Sequence, residues 1–278
     1  MSSINCKGKL LNMDEPLVMG IINATPDSFY EGHLSMPAND LVALAGSMIA
    51  DGATMLDIGG LSTRPGSQPI SFQEEMDRVL PVIENILTTY PEIILSIDTY
   101  NSAVAKAAVD GGASIVNDIS GGNLDAAMIE TVADLNVPFI CMHMRGTPAT
   151  MQQHAVYENV VKDVLDFFIL KIDACKKAGI KDVIIDPGLG FAKTIKHNFS
   201  LLKELAVLKI TGKPILAGLS RKSTIYKTLG ITAAEALNGT TVLNTMALMN
   251  GASILRVHDV KEAVETVKLF TAYNTIIT

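Results

Sequence analysis

Eight short apolar runs recur along the chain, and a helical pattern of apolar residues follows each of them. The runs occupy residues 17–22, 53–58, 93–97, 113–116, 138–142, 183–185, 214–217 and 253–255. The helical patterns occupy residues 38–51, 72–89, 101–111, 124–135, 157–178, 201–208, 233–250 and 260–273. Apolar runs without strict alternation are typical of parallel strands that are covered on both faces. Eight strand–helix units therefore predict an α/β fold, a (β/α)8 TIM barrel.

A doubly wound open sheet is the alternative architecture. Its dinucleotide-binding form is disfavoured, because no Gly-x-Gly-x-x-Gly follows the first apolar run. A single domain is expected over residues 1–278, since 48% of the residues are hydrophobic and no low-complexity linker interrupts the pattern. Ahead of the first strand, residues 4–13 predict a short N-terminal β-hairpin with its turn at Lys7-Gly8-Lys9. This hairpin is expected to cover one end of the core.

Charge and composition narrow the choice of partners. The net charge is −7 and the pI is near 5.2, with no basic stripe, so neither nucleic acid nor a membrane surface is expected. The first residues lack an apolar signal region and no apolar stretch could cross a bilayer, so we expect a soluble cytoplasmic protein. Cys6, Cys141 and Cys175 are widely spaced and are expected to be reduced packing residues. Chemistry on small molecules is the expected activity.

Polar residues stand where the apolar runs end. In a barrel, the C-terminal ends of the strands converge on one face, which would gather these residues around a single mouth. A helix cap or a turn explains any one of them equally well, so the whole set predicts the functional site. Its members are Asn23, Asp57, Asp98, Asn117, His143, Asp186, Lys222, Arg256 and His258.

Basic residues cluster at these strand ends although the chain is acidic overall. They are Arg64, Arg221, Lys222, Arg256 and His258, and they favour an anionic ligand such as a phosphate. Residues two apart in a strand point the same way, so Arg256 and His258 would address one ligand together.

A second group at the strand ends consists of Asp98, Asn117 and Asp186. Carboxylates paired with an Asn suit a flat heterocycle that offers amidine-like N–H donors along one edge. A divalent-metal site and a general acid/base pair are competing interpretations. A tight metal cage would need more oxygen ligands close together in the sequence than this chain has.

Eight motifs follow one another along the chain. They are Met19-Gly-Ile-Ile-Asn-Ala-Thr-Pro-Asp-Ser-Phe29, Asp57-Ile-Gly-Gly60 with Ser62-Thr-Arg-Pro-Gly66, Ser96-Ile-Asp-Thr99, Val116-Asn-Asp-Ile-Ser-Gly-Gly122, Met142-His-Met144 with Gly146-Thr-Pro148, Asp186-Pro-Gly188, Ser220-Arg-Lys-Ser223 and Arg256-Val-His-Asp259. In this order they resemble the dihydropteroate synthase family, from about residue 17 to residue 260. That family joins 6-hydroxymethyl-7,8-dihydropterin diphosphate to 4-aminobenzoate, releases diphosphate and makes 7,8-dihydropteroate for folate synthesis. Sulfonamides, which mimic the aminobenzoate, inhibit it.

The resemblance implies a role for each matching residue. Asn23 would bind the Mg²⁺ that accompanies the diphosphate. The phosphates would be held by Thr63, Arg256 and His258, and the pterin edge by Asp98, Asn117 and Asp186. Lys222 would lie against the carbonyl and nitrogen side of the ring.

The aminobenzoate slot would be walled by Phe29, Pro65 and Phe191. Ser223 would bind the benzoate carboxylate at a helix N-terminus. Further substrate contacts are expected at Arg64, Met142, Gly218 and Val257. Catalysis would rest on Asp98, Lys222, Arg256 and His258, with departure of diphosphate before attack by the amine. A homodimer is also implied.

The sequence departs from the family pattern in two loops. Tyr30-Glu31-Gly32-His33 stands where Ser-Asp-Gly-Gly is common, and Leu61 stands where Glu is common. Both departures bear on loop closure and the aminobenzoate slot more than on the pterin. Three other functions stay open: a corrinoid-linked methyltetrahydrofolate transferase, a Schiff-base aldolase that uses Lys222, and a pterin-binding paralogue without turnover.

Overall fold

The computed structural model describes residues 3–25, 38–62 and 70–275. Its main sheet has eight parallel strands. They are β3 (Leu17–Asn23), β4 (Met55–Gly59), β5 (Ile94–Asp98), β6 (Ile115–Asp118), β7 (Phe139–Met142), β8 (Val183–Asp186), β9 (Leu216–Ala217) and β10 (Ile254–Val257). Their order around the sheet is β8-β7-β6-β5-β4-β3-β10-β9. A parallel bridge between Ile185 and Ile215 joins the two outer strands and closes the barrel. The predicted TIM barrel is confirmed.

The N-terminal end of the barrel is filled by one buried side chain from each strand. This layer contains Met19, Met55, Ile94, Ile115, Ile140, Ile184, Leu216 and Ile254. Strands β1 (Ser3–Cys6) and β2 (Lys9–Asn12) form an antiparallel hairpin whose Ile4, Cys6 and Leu11 pack on that layer. The hairpin therefore closes the lower end, as its sequence predicts, and leaves the C-terminal end for chemistry.

Nine α-helices are present in the part of the chain that is described. They are α1 (Ala38–Ala50), α2 (Phe72–Thr89), α3 (Ser102–Asp110), α4 (Met128–Leu135), α5 (Val160–Ala178), α6 (Ile195–Lys203), α7 (Ser223–Leu229), α8 (Leu237–Met249) and α9 (Val260–Asn274). The side chains of Ser71, Asn101 and Asn159 accept backbone N–H groups at three helix starts, as N-cap residues do. The larger core cluster, which includes Val79, Val104 and Val164, joins the helices to the outer face of the strands.

Four predicted helices begin at other residues in the structure. Helix α5 begins at Val160 and not at residue 157, and α8 begins at Leu237 and not at residue 233. Helix α4 begins at Met128 and not at residue 124, because Asp125 accepts the backbone N–H groups of Ala127 and Ser102 and so holds a turn. The helix predicted over residues 201–208 is wrong in its bounds. Thr194 starts α6 at Ile195 with a capping box to His197, and a 3₁₀ helix over Leu205–Thr211 follows.

The cysteines agree with the sequence prediction. Cys6, Cys141 and Cys175 are free and buried, and burial raises the pKa of the Cys6 thiol to about 12 and that of Cys175 to about 11. Among the described residues, no helix has both the length and the apolar character that a bilayer crossing requires.

Candidate functional site

The parallel register sets polar residues side by side at the C-terminal rim of the barrel. Asn23 on β3 is level with Gly59 on β4, Gly59 with Asp98 on β5, and Asp98 with Asn117 on β6. On the next two strands around the barrel, Met142 of β7 is level with Asp186 of β8. The mouth predicted from the strand ends is therefore formed by these residues.

The centre of the mouth is a buried ionic network around Asp57. Its Oδ2 accepts the Nε–H of Arg256 at 2.6 Å and an Nδ2–H of Asn117 at 2.9 Å. A second guanidinium N–H of Arg256 is donated to Oδ2 of Asp98, also at 2.6 Å. Asp57 is completely buried, and its Oδ1 has no hydrogen-bond partner among the described residues. The network ties β4, β5, β6 and β10 together at the level of the site.

Asp57 is a residue of the site to which the sequence assigns no specific role. It is one of the strand-end residues, but neither its charge nor the family resemblance gives it a contact with a ligand. The available signal was a single carboxylate inside the apolar run 53–58, which requires a partner once it is buried. That partner, Arg256, lies 199 positions further along the chain.

The hydrogen bond from Asn117 to Asp57 fixes which way the amide of Asn117 points. Its Nδ2 faces Asp57, so its carbonyl oxygen is the atom presented away from the network. The mouth thus offers an amide acceptor beside the carboxylates of Asp98 and Asp186. Acceptors in this arrangement fit a ligand edge that carries N–H donors.

Lys222 supplies a donor close to Asp186, because it follows β9 and β9 neighbours β8 in the closed barrel. Its Nζ donates to the backbone carbonyl of Leu189 at 2.5 Å and lies 4.7 Å from the ring centroid of Phe191. Asp186 lies near it and accepts the backbone N–H of Gly188 through Oδ1 at 2.7 Å. Gly218 is also close, since a Cβ atom built there would be 3.5 Å from the Lys222 Nζ. A carboxylate acceptor and an ammonium donor therefore lie close together at the rim of the barrel.

Burial shifts the pKa values of Asp98 and Lys222 toward 7. It raises the pKa of Asp98 to about 7, although Arg256 opposes the change. It lowers the pKa of Lys222 to about 8, while Asp186 acts in the opposite direction. Titration near physiological pH is typical of functional sites.

His258 follows β10 and does not act as a cation. Burial, assisted by Arg256, lowers its pKa to about 4, so its ring is neutral at pH 7. Its Nδ1 lies 3.0 Å from the Ser220 hydroxyl, which also accepts the backbone N–H of His258. That hydroxyl can donate its own hydrogen to Nδ1, which favours the tautomer with the proton on Nε2. His258 then offers one N–H to a ligand.

Two strand-end residues have other partners. Arg221 forms a two-pronged ion pair with Asp259 and also donates to the carbonyls of Ala233 and Ala234, so its charge holds the loop before α8. His143 is buried against Lys193, and burial lowers its pKa to about 2. The role of Arg221 toward an anionic ligand stays a prediction.

The remaining predicted site residues fall into three groups. Ser223 is the first residue of α7, and Met142 packs with Ile119, Met144 and Ala192 under the mouth. The Val257 side chain packs in the core between strands and helices, so only its backbone can face a ligand. Phe29, Thr63, Arg64 and Pro65 lie outside the described residues, as does the unusual loop at 30–33.

The donor set fits a magnesium ion that arrives with a phosphate ligand. Oδ1 of Asn23 and Oδ2 of Asp98 lie on either side of Gly59, 3.9 Å and 3.7 Å from the position of a Cβ atom built there, and Asn23 supplies an amide oxygen of the kind that Mg²⁺ accepts. No group of three or more His, Cys, Asp or Glu side chains that could hold a metal occurs within residues 3–25, 38–62 and 70–275. Mg²⁺ commonly takes one or two protein oxygens and completes its shell with phosphate and water.

The comparisons with known proteins agree with this geometry. The family model described as pterin binding enzyme matches residues 19–258, which places the barrel and its mouth in the pterin-binding class. The dihydropteroate synthase of Escherichia coli (strain K12) is 42% identical over 268 residues, covering 96% of this chain and 94% of its own. The chain belongs to the dihydropteroate synthase family.

Two solved structures extend the likeness to three dimensions. The Yersinia pestis dihydropteroate synthase in a sulfonamide drug complex superimposes with a TM-score of 0.94 at 38% identity, covering 99% of this chain and 100% of that one. The Xanthomonas albilineans dihydropteroate synthase with 4-aminobenzoic acid gives a TM-score of 0.92 at 38% identity, with 99% of each chain covered.

Proposed function

We propose that this protein condenses 6-hydroxymethyl-7,8-dihydropterin diphosphate with 4-aminobenzoate to give 7,8-dihydropteroate and diphosphate. The observation that carries the proposal is the mouth itself, where the acceptors Asn117 and Asp186 and the donor Lys222 share one rim of the barrel. Arg256 lies at the same rim, paired with Asp98. Family membership supports the same reaction.

The pterin ring is assigned to the part of the mouth that Asn117, Asp186 and Lys222 share. Its 2-amino group and ring N–H form a donor edge, which suits the Asp186 carboxylate and the carbonyl oxygen of Asn117. Its carbonyl oxygen and neighbouring ring nitrogen suit the ammonium of Lys222. The ring would lie against Phe191, which is partly buried beside that ammonium.

The diphosphate is assigned to Arg256, His258 and Thr63. A guanidinium has five N–H donors, and Arg256 gives two of them to Asp57 and Asp98, so it can hold a phosphate without leaving its anchors. The Nε2–H of His258 adds a neutral donor. Asn23 would hold Mg²⁺ together with the phosphates, and the ion, when bound, would neutralise charge on the leaving diphosphate.

The aminobenzoate is assigned to the outer part of the mouth. Phe191 would form one wall, with Phe29 and Pro65 opposite, and Ser223 at the start of α7 would bind the carboxylate. Arg64 is assigned to the same outer region. The Xanthomonas albilineans relative, solved with 4-aminobenzoic acid, supports a slot of this kind.

The order of bond breaking follows from the charges around the ring. The C–O bond to diphosphate breaks first, and the leaving group takes the electron pair while the pterin ring spreads the positive charge of the methylene. Asp98, in its ionised form, stabilises that cation, and Arg256 and His258 hold the departing anion. The neutral amine of aminobenzoate then attacks, and the nitrogen afterwards loses one proton to solvent. No side chain has to act as a general base.

Positional isotope exchange tests this order. The bridging oxygen of the pterin diphosphate is labelled, and the protein is incubated with Mg²⁺ without aminobenzoate. Movement of the label into non-bridging positions is the expected result. Absence of scrambling, together with a rate that depends steeply on the nucleophilicity of substituted aminobenzoates, would replace it with concerted displacement.

Diphosphate release coupled to a colour reaction tests the function. We expect release that requires both substrates and a product identified by mass as dihydropteroate. Pterin binding without turnover would instead identify a non-catalytic paralogue. Trapping by borohydride with a carbonyl substrate would point to a Schiff base on Lys222.

A homodimer is proposed on the surface of α8. Val242, Met246 and Met249 are exposed at spacings of four and three residues, which places them on one face of the helix. The partner proposed for this face is a second copy of the chain, and light scattering at micromolar concentration measures it. A cytoplasmic location is also proposed, which the three unpaired thiols support.

A further inference from the structure

The loop that joins β8 to α6 contacts two polar residues of the mouth, Asp186 and Lys222. Its Gly188 N–H is donated to Asp186, and its Leu189 carbonyl accepts the ammonium of Lys222. Phe191 of the same loop lies under that ammonium. The path of residues 187–194 therefore sets the positions of an acceptor, a donor and a ring surface at once.

The backbone of this loop adopts left-handed conformations that most residues avoid. Gly188, Gly190 and Ala192 all have positive φ angles, of 67°, 90° and 48°. A Cβ atom at Gly188 would meet the carbonyl oxygen of His143 at 2.0 Å, so the loop passes too close to β7 for any side chain there. A path with three left-handed residues in eight requires contacts that hold it.

Lys193 makes those contacts from beneath the loop. Its Nζ donates to the carbonyl oxygens of Gly188 at 3.0 Å and Phe191 at 3.1 Å, and it lies 3.0 Å from Nδ1 of His143. Only 4% of Lys193 is exposed, and burial lowers its pKa to about 7. Burying an amine is costly unless its partners compensate, and here the partners are the loop carbonyls and a neutral histidine. None of the pterin, phosphate or aminobenzoate contacts assigned above uses this amine.

We propose that Lys193 is a positioning residue that holds the 187–194 loop in the shape required to present Asp186 and Lys222 to the pterin. The identity of the ligand in this proposal rests on the proposed function, whereas the role of Lys193 in holding the loop does not. Asn198 on α6 assists from the other side, where its Oδ1 accepts the Gly190 N–H at 2.7 Å.

The first test needs no ligand. Hydrogen exchange of the segment 187–194 is measured by mass spectrometry in the wild type, in Lys193→Met and in the control Lys196→Met. The control removes an exposed amine from the first turn of α6, three residues after Lys193. We expect exchange in the loop to be at least tenfold faster in Lys193→Met, with α9 unchanged in the same sample. Lys196→Met should match the wild type. Unchanged loop exchange in Lys193→Met would overturn the proposal.

The second test separates positioning from general support of the fold. Affinity for the bare pterin alcohol is measured in Lys193→Met, Lys222→Met and the double variant. We expect Lys193→Met to weaken binding at least tenfold, and its effect to shrink at least threefold in the Lys222→Met background, because part of it passes through Lys222. Equal fold-losses in both backgrounds would contradict the proposal.

A third variant keeps the outcome decisive if Lys193→Met does not fold. Lys193→Gln retains an N–H donor for the loop carbonyls and should show exchange and affinity between those of the wild type and the loss described above. If Lys193→Gln shows the same affinity and the same exchange as the wild type, the charge of the ammonium is not required, which would count against its role. Failure of the wild type to bind any pterin would refute the proposed function, while the exchange measurement would still decide the role of Lys193.

Discussion

Replacing Asp57 by Asn is the sharpest perturbation of the site, because it changes one buried oxygen and little volume. In the wild type, Oδ2 of Asp57 accepts hydrogen bonds from Arg256 and Asn117. An amide at this position can keep one oxygen in place, but it loses the negative charge and gains an NH₂ group. That NH₂ group would take the position of Oδ1, for which the described residues offer no partner.

The magnitude follows from these contacts. Hydrogen bonds to a charged group contribute about 1.5–3 kcal/mol and neutral ones about 0.5–1.5 kcal/mol, so neutralising the acceptor costs about 1 kcal/mol for each bond. A buried NH₂ group without an acceptor adds about 1–3 kcal/mol. Loss of one partner from a buried ion pair typically costs about 3–5 kcal/mol, and Arg256 retains Asp98, so the lower end applies. We expect the free energy of unfolding to fall by about 3 kcal/mol.

Urea unfolding followed by circular dichroism measures this change, and calorimetry with a pterin measures the accompanying loss of affinity. Asp51→Asn is the matched control, since it makes the same chemical change on an exposed turn and should alter stability by less than about 0.5 kcal/mol. Wild-type stability together with wild-type pterin affinity in Asp57→Asn would refute the role of Asp57 as the anchor of the network.

Three further outcomes are expected. Asp186→Asn should lose roughly 1.5–3 kcal/mol of pterin binding by calorimetry, because one acceptor becomes a donor that faces a donor; unchanged affinity would remove Asp186 from the pocket. Arg256→Ala should weaken binding of the pterin diphosphate far more than binding of the bare pterin alcohol, and equal losses would mean that Arg256 supports only the fold or the ring. The kcat/KM profile should fall below about pH 7, where Asp98 (pKa about 7) takes up a proton, and above about pH 8, where Lys222 (pKa about 8) loses one. Asp98→Asn should abolish the acidic limb, and an acidic limb that survives in it would assign that limb to another group.

The barrel could be predicted because its signal is repeated. Eight apolar runs with intervening helical patterns predict the number of strands. In the structure each strand contributes one side chain, such as Met19, to a single buried layer inside the barrel. Helix bounds were harder to predict where side chains compete for the backbone. Thr194 and Asp125 each move a helix start by local hydrogen bonds that an apolar pattern does not reveal.

The sequence predicts which residues belong to the site, but it predicts only some of the contacts between them. Strand-end position identifies Asp98, Asn117, Asp186 and Arg256, because parallel strands converge at one face. The bond from Arg256 to Asp57 joins residues 199 positions apart, so no local pattern signals it. The neutral state of His258 likewise depends on burial and on Arg256, which only the folded arrangement supplies.

The most direct test of the central claim is a crystal structure of the protein with 6-hydroxymethyl-7,8-dihydropterin soaked at the C-terminal mouth. We expect the amino-pyrimidine edge within hydrogen-bond distance of Asp186 and the Asn117 carbonyl oxygen, the ring carbonyl near Lys222, and the hydroxymethyl group directed toward Arg256. A ring that binds in reversed orientation, or at any place away from this mouth, would contradict the account.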